Sequence, residues 1–247
     1  MDSKCENTQS FETLIKGKAP KDPKQKWYPT SVETFRNALT IPQDTTANLV
    51  LHKNISYSLQ YLQFLQKQLD ELELTPALHA MIVKAYIITG MSVLEGLFTY
   101  IIKKYGWWKT TNLEEVKDFT FTSNAKKNRE NGNTYVAKTT LYKEIPTREL
   151  EPYEVSLDSM IKTLDYHQKT FRVDYHIYKP LKEAKVLRNR IHLDTAADDI
   201  RDNDYNVFSN DAQKEMKKIL YEILTSESIS TNPEVFDSFK PKENIKK

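Results

Sequence analysis

Apolar side chains recur every three or four positions through two long stretches of this chain. In residues 46–72 they are Leu49, Ile55, Leu59, Leu62, Leu65 and Leu69, the period of a helix with one buried stripe. In residues 75–105 apolar positions are denser. There the less apolar Ala85, Thr89, Ser92, Gly96, Thr99 and Lys103 themselves fall on one helical stripe. Thr75-Pro76 suits a helix start, because proline is tolerated in a first turn, and Gly106 marks the end. A turn this short between two long helices predicts an antiparallel hairpin. Residues 81–102 are long enough to span a bilayer, yet Lys84 and Glu95 lie inside them. An ionised carboxylate at mid-bilayer would cost roughly 2.5–3.5 kcal/mol, so the segment reads as a core helix of a soluble bundle, with no membrane partner.

The remaining pattern adds shorter elements. Thr30 or Ser31 can cap a helix through Leu39, with Glu33 close behind. Residues 107–152 change period: Asp118-Phe119-Thr120-Phe121-Thr122 alternates, as does the run from Thr134 to Tyr142. Between them Lys126, Lys127, Asn128, Arg129, Glu130, Asn131, Gly132 and Asn133 form a turn-rich polar stretch. This predicts an inserted β-hairpin or mobile loop, with Lys126, Lys127 and Arg129 as minor candidates for phosphate contact. Helix resumes from Ser156 to about Thr170, and again from Tyr178-Lys179-Pro180, where Leu181, Ala184, Leu187 and Ile191 make a buried stripe. After an acidic loop over residues 194–210, a last helix over residues 211–225 carries Met216, Ile219, Leu220, Ile223 and Leu224.

The predicted fold is therefore all-α, an antiparallel helical bundle of four to five main helices with a β-hairpin insertion. Residues 1–29, where lysines alternate with Pro20 and Pro23, predict a flexible basic arm. Residues 30–226 predict a single helical domain, and residues 227–247 a loose C-terminal tail.

Composition narrows the function classes. Hydrophobic residues are 39% and charged residues 28% of 247, with a net charge of +2, so any nucleic-acid site must come from local clustering of charge. Five glycines argue against Gly-rich phosphate turns, and the single Cys5 excludes a disulfide framework or a thiolate zinc site. Met1-Asp2-Ser3-Lys4-Cys5-Glu6 has no signal-peptide core, which makes the cytoplasm the expected compartment. His52, His79, His167 and His176 have no partners at familiar ligand spacing, and Asp198, Asp199, Asp202 and Asp204 lack the order of a calcium loop. No metal or other cofactor is expected.

The candidate chemistry lies in Leu187-Arg188-Asn189-Arg190-Ile191-His192-Leu193. If this stretch is helical, Arg188 and His192 stand one turn apart on one face, with Asn189 near both. Arginine donates hydrogen bonds and holds anions, while histidine exchanges protons near neutrality, so the two suffice for phosphodiester cleavage without a metal. The plain alternative is a solvated helix face. Lys182, Lys185 and Arg190 add a basic shoulder to which a phosphate backbone would be drawn. Glu95, on an otherwise apolar helix, is either at the solvent edge or paired with a cation, and Arg188 is the candidate partner.

This motif resembles the signature of the HEPN superfamily (higher eukaryotes and prokaryotes nucleotide-binding), an Arg, a polar residue and a His near a helix end. Only Asn189, Arg190 and Ile191 separate Arg188 from His192, a shorter gap than the family usually has. Ser92-Val93-Leu94-Glu95-Gly96-Leu97-Phe98 is similar to the family's apolar helix with one acidic residue. The resemblance implies a homodimer and a metal-independent endoribonuclease of a bacterial toxin–antitoxin or antiphage system, with RNA as substrate and an antitoxin or defence-complex partner. It implies Arg188, His192, Asn189 and Glu95 as catalytic residues and Lys182, Lys185 and Arg190 as RNA contacts. A catalytically inactive nucleotide- or RNA-binding or assembly module, and a purely structural helical subunit, are the alternatives.

Overall fold

A computed structural model describes residues 27–123, 126–127, 134–191 and 203–241. They divide into a helical unit and a smaller unit, Lys103–Ser156. The helical unit holds α1 (Val32–Ala38), α2 (Thr46–Glu71), most of α3 (Pro76–Lys104), α4 (Leu157–Tyr166), α5 (Gln168–Phe171), α6 (Tyr178–Asn189), α7 (Asp204–Val207) and α8 (Asn210–Leu224).

Local chemistry sets most boundaries. The Ser31, Thr45 and Ser209 side chains accept from backbone N–H groups in the first turns of α1, α2 and α8, satisfying donors that have no partner within the helix. Gly106 ends the α3 region at φ 69, a left-handed conformation that costs glycine little.

The α2–α3 hairpin forms as its apolar period predicts. Ile55, Leu59, Leu62, Leu65 and Leu69 of α2 and Val83, Ile87, Leu94 and Phe98 of α3 are buried. Gly96, late in α3, lies beside Leu51 and Ile55, early in α2, so the two helices run antiparallel. Gly90 brings α3 against α8: a Cβ there would stand 2.7 Å from Met216 Cε. By length and composition α3 could cross a membrane, but its apolar inner face is covered by α2 and α8. α4 and α6 are antiparallel, Asp165 meeting Lys182 and Asp158 meeting Lys185.

The C-terminal segment corrects an expectation. Residues 227–241 are not a loose tail. Thr40 N–H donates to Ile229 O at 2.8 Å and Thr231 N–H to Ala38 O at 2.9 Å, tying the segment to the end of α1. A 3-10 stretch, Pro233–Phe239, then buries Phe236 and Phe239 completely, and Phe35 of α1 stacks on Phe236 with centroids 5.9 Å apart. Burial of two phenylalanines outweighs the polar look of the sequence around them. At the other end, residues 1–26 of the expected arm lie outside the described residues. Trp27 lies under the Lys67 ammonium, which is 5.5 Å from its ring centroid.

The smaller unit is a ribbon in which β1 (Thr110–Thr122) pairs antiparallel with β4 (Lys138–Glu149), and β2 (Lys126–Lys127) with β3 (Thr134–Tyr135). Register shifts fall at Thr111/Leu113 and Glu115/Thr120. Strand β1 starts eight positions before the alternation at Asp118. Both faces of its first half are largely exposed, so nothing forces an in–out pattern there. At the base of the ribbon Trp108 Nε1 donates to Leu150 O at 2.7 Å, and the Lys103 ammonium sits 4.8 Å from the Trp108 ring centroid.

Candidate functional site

Arg188 stands in the last turn of α6, where the helix dipole favours a cation. Its Nη2 donates to Glu95 Oε2 of α3 at 2.9 Å. About a third of each side chain is open to solvent (36% and 31%), so the pair is strapped down at one end and accessible at the other. Glu95 is thus neither buried alone nor merely solvated. A guanidinium with several N–H donors can hold a carboxylate and still offer others to an anion.

The two lysines of the basic shoulder are engaged by acids. Lys185 Nζ reaches Asp158 Oδ1 at 2.6 Å, and Lys182 Nζ reaches Asp165 Oδ2 at 3.5 Å. Lys162 meets the other oxygen of Asp158 at 2.7 Å. These hydrogen bonds, from Lys162 first and Lys185 second, hold the Asp158 carboxyl at about 2. The sequence reading missed Asp158 and Asp165 as neighbours of the motif. The Asp158–Lys162 spacing was readable as a helical ion pair, but nothing local signalled the contacts with α6.

The helix expected to run through Ile191 stops short of it. α6 ends at Asn189; the Arg190 N–H turns back to Leu187 O at 3.1 Å and the Ile191 N–H to Arg188 O at 3.3 Å, a tight turn. Ile191 is 54% exposed and does not continue the buried stripe of Leu181 and Ala184, because the chain has left the helical path. Asn189 is exposed at the helix end, and Arg190 is its half-exposed cap. His192 lies outside the described residues, as do Asp198, Asp199, Asp202 and Arg129.

Other titratable groups have structural partners. His52 is 1% exposed, its Nε2 2.7 Å from Arg36 O, and burial lowers its pKa. His176 lies between Asp174 and Glu222, at 2.9 and 3.3 Å, and hydrogen bonds to them raise its pKa. Asp204 pairs with the buried Lys84 at 2.7 Å. Among the described residues no three His, Cys, Asp or Glu side chains are grouped to hold a metal ion. No family model, curated protein or solved structure matches the chain.

Proposed function

We propose that the protein is a metal-independent endoribonuclease of the HEPN type, acting in a bacterial toxin–antitoxin or antiphage setting. The observation that carries the reading is the Arg188–Glu95 contact, which joins the two segments that resemble the family. In this reading the ribose 2′-oxygen attacks the adjacent phosphorus and its proton passes to a histidine base. The P–O5′ bond then breaks, the leaving oxygen takes a proton, and a 2′,3′-cyclic phosphate remains. His192 serves as base or acid, and Arg188 stabilises charge that develops on the phosphoryl oxygens. Glu95 positions Arg188, and Asn189 orients the phosphate or the imidazole.

One imidazole does not readily serve as acid and base in the same step, and a two-fold homodimer supplies two. Exposed Val50, Tyr57, Tyr61 and Phe64 along α2, with Leu78 and Met81 at the start of α3, provide apolar surface for such a partner. RNA is the substrate and the cytoplasm the site of action. Incubating purified protein with RNA in EDTA, beside Arg188→Ala and His192→Ala, tests the proposal.

A second reading, a non-catalytic nucleotide- or RNA-binding or assembly module, draws support from a specific observation. α6 ends before His192, and Lys182 and Lys185 are engaged by Asp165 and Asp158. Wild-type protein that binds RNA without cutting it would favour this reading.

A further inference from the structure

α6 and α8 leave a groove between them in the helical unit, floored by Ile87 of α3 and walled by Ala184 and Leu187 of α6 and Met216 of α8. Its volume is ≈ 260 Å³, below the roughly 300–1,000 Å³ of small-molecule sites and suited to one or two apolar side chains. Three carboxylates share the lining, Glu183 of α6 with Asp211 and Glu215 of α8, and no lysine or arginine does. Asp211 meets Lys214 at 3.4 Å, but neither Glu183 nor Glu215 has an ion pair or hydrogen bond among the described residues. An apolar floor beside two uncompensated acids calls for an occupant with apolar anchors and positive charge.

The chain carries such a segment before Trp27. Phe11, Leu14 and Ile15 follow the i, i+3, i+4 spacing of helix-in-groove anchors, and residues 16–26 hold five lysines against one aspartate. Residues 242–247 carry a single apolar side chain, Ile245, and are the poorer match. The tether is long enough. Trp27 lies in a cleft that Lys217 of α8 also lines, and Lys217 is five residues, about 7.5 Å of helix, from Ala212 at the groove. Twelve steps of chain separate Ile15 from Trp27, about 40 Å when extended, which is enough to round α8.

We propose that residues 11–18 of the same chain dock in this groove, with Leu14 and Ile15 against Ile87, Leu187 and Met216 and with Lys16 and Lys18 beside Glu183 and Glu215. The contact does not depend on the ribonuclease reading.

Paramagnetic NMR on the full chain tests it: a nitroxide is placed at Thr13→Cys in a Cys5→Ser background and read through the methyl groups of Ile87, Ala184, Leu187 and Met216. Broadening of these methyls is the expected result. Glu183→Lys with Glu215→Lys, and separately Leu14→Asp with Ile15→Asp, should each remove it, with melting temperatures showing that the variants fold. Adding Lys16→Glu and Lys18→Glu to the groove variant should restore it. In an equimolar mixture of nitroxide-bearing chains and isotope-labelled chains without nitroxide, the methyls should stay sharp. Sharp methyls in the unaltered groove, which would leave it to a partner protein, overturn the proposal. So do broadening that survives in the folded Glu183→Lys, Glu215→Lys variant and broadening in the mixture, which would mean the arm of a second copy.

Discussion

Arg188 of α6 donates to Glu95 of α3 at 2.9 Å across 93 positions of sequence. Each partner is about a third exposed, so solvent screens the attraction and the pair adds only about 0.2–1 kcal/mol to stability. A double-mutant cycle with Glu95→Gln and Arg188→Gln, read by urea unfolding, should return a coupling of that size. A coupling above about 3 kcal/mol would mean that the pair holds the fold rather than orients a guanidinium.

Lys84 and Asp204 make the contrasting case. The Lys84 side chain is 11% exposed and its ammonium lies 2.7 Å from Asp204. Replacing Asp204 with Ala leaves a buried cation without this partner and should cost about 3–5 kcal/mol, whereas Lys84→Met with Asp204→Leu should come much closer to wild type. Equal losses in the single and the double variant would contradict this account.

Phe236 is fully buried against Phe35, so Phe236→Ala should destabilise the protein by about 3–5 kcal/mol. Thermal melts of that variant decide whether residues 227–241 belong to the core. A loss under about 0.5 kcal/mol, as expected for a surface tail, would contradict it.

Long-range burial explains which parts of this fold were readable in advance. α2 and α3 were legible because each carries its apolar stripe within one element, and their ends follow local signals at Thr45 and Pro76. Phe236 and Phe239 were not, since a short 3-10 stretch after Pro233 has too few turns to show a period. Ile191 failed for a related reason: its spacing fits a helix that has already stopped at Asn189. The Glu95–Arg188 pairing was legible as chemistry, because an acid inside an apolar helix needs a cation. The acids that engage Lys182 and Lys185 come from another helix, and no local pattern announces them.

Acid should weaken the α4–α6 contact. The Asp158 carboxyl is held at about 2 instead of its ordinary 3.8 by hydrogen bonds from Lys162 and Lys185. A lowered folded-state pKa adds stability that is present above 3.8 and is lost as pH falls toward about 2. Melting temperature should fall across that window, and Asp158→Asn should flatten part of the drop. An identical slope in the variant would show that Asp158 has no share in it.

The most direct test of the central claim is an RNA cleavage assay in EDTA, with the product ends analysed for wild type, Arg188→Ala and His192→Ala. The account predicts metal-independent cleavage with 2′,3′-cyclic phosphate ends, no cleavage of DNA, and rates lower by about two to four orders of magnitude in His192→Ala, with a severe loss in Arg188→Ala and both variants still folded. Cleavage abolished by chelator, single-stranded DNA cut equally well, or full activity in His192→Ala would contradict it.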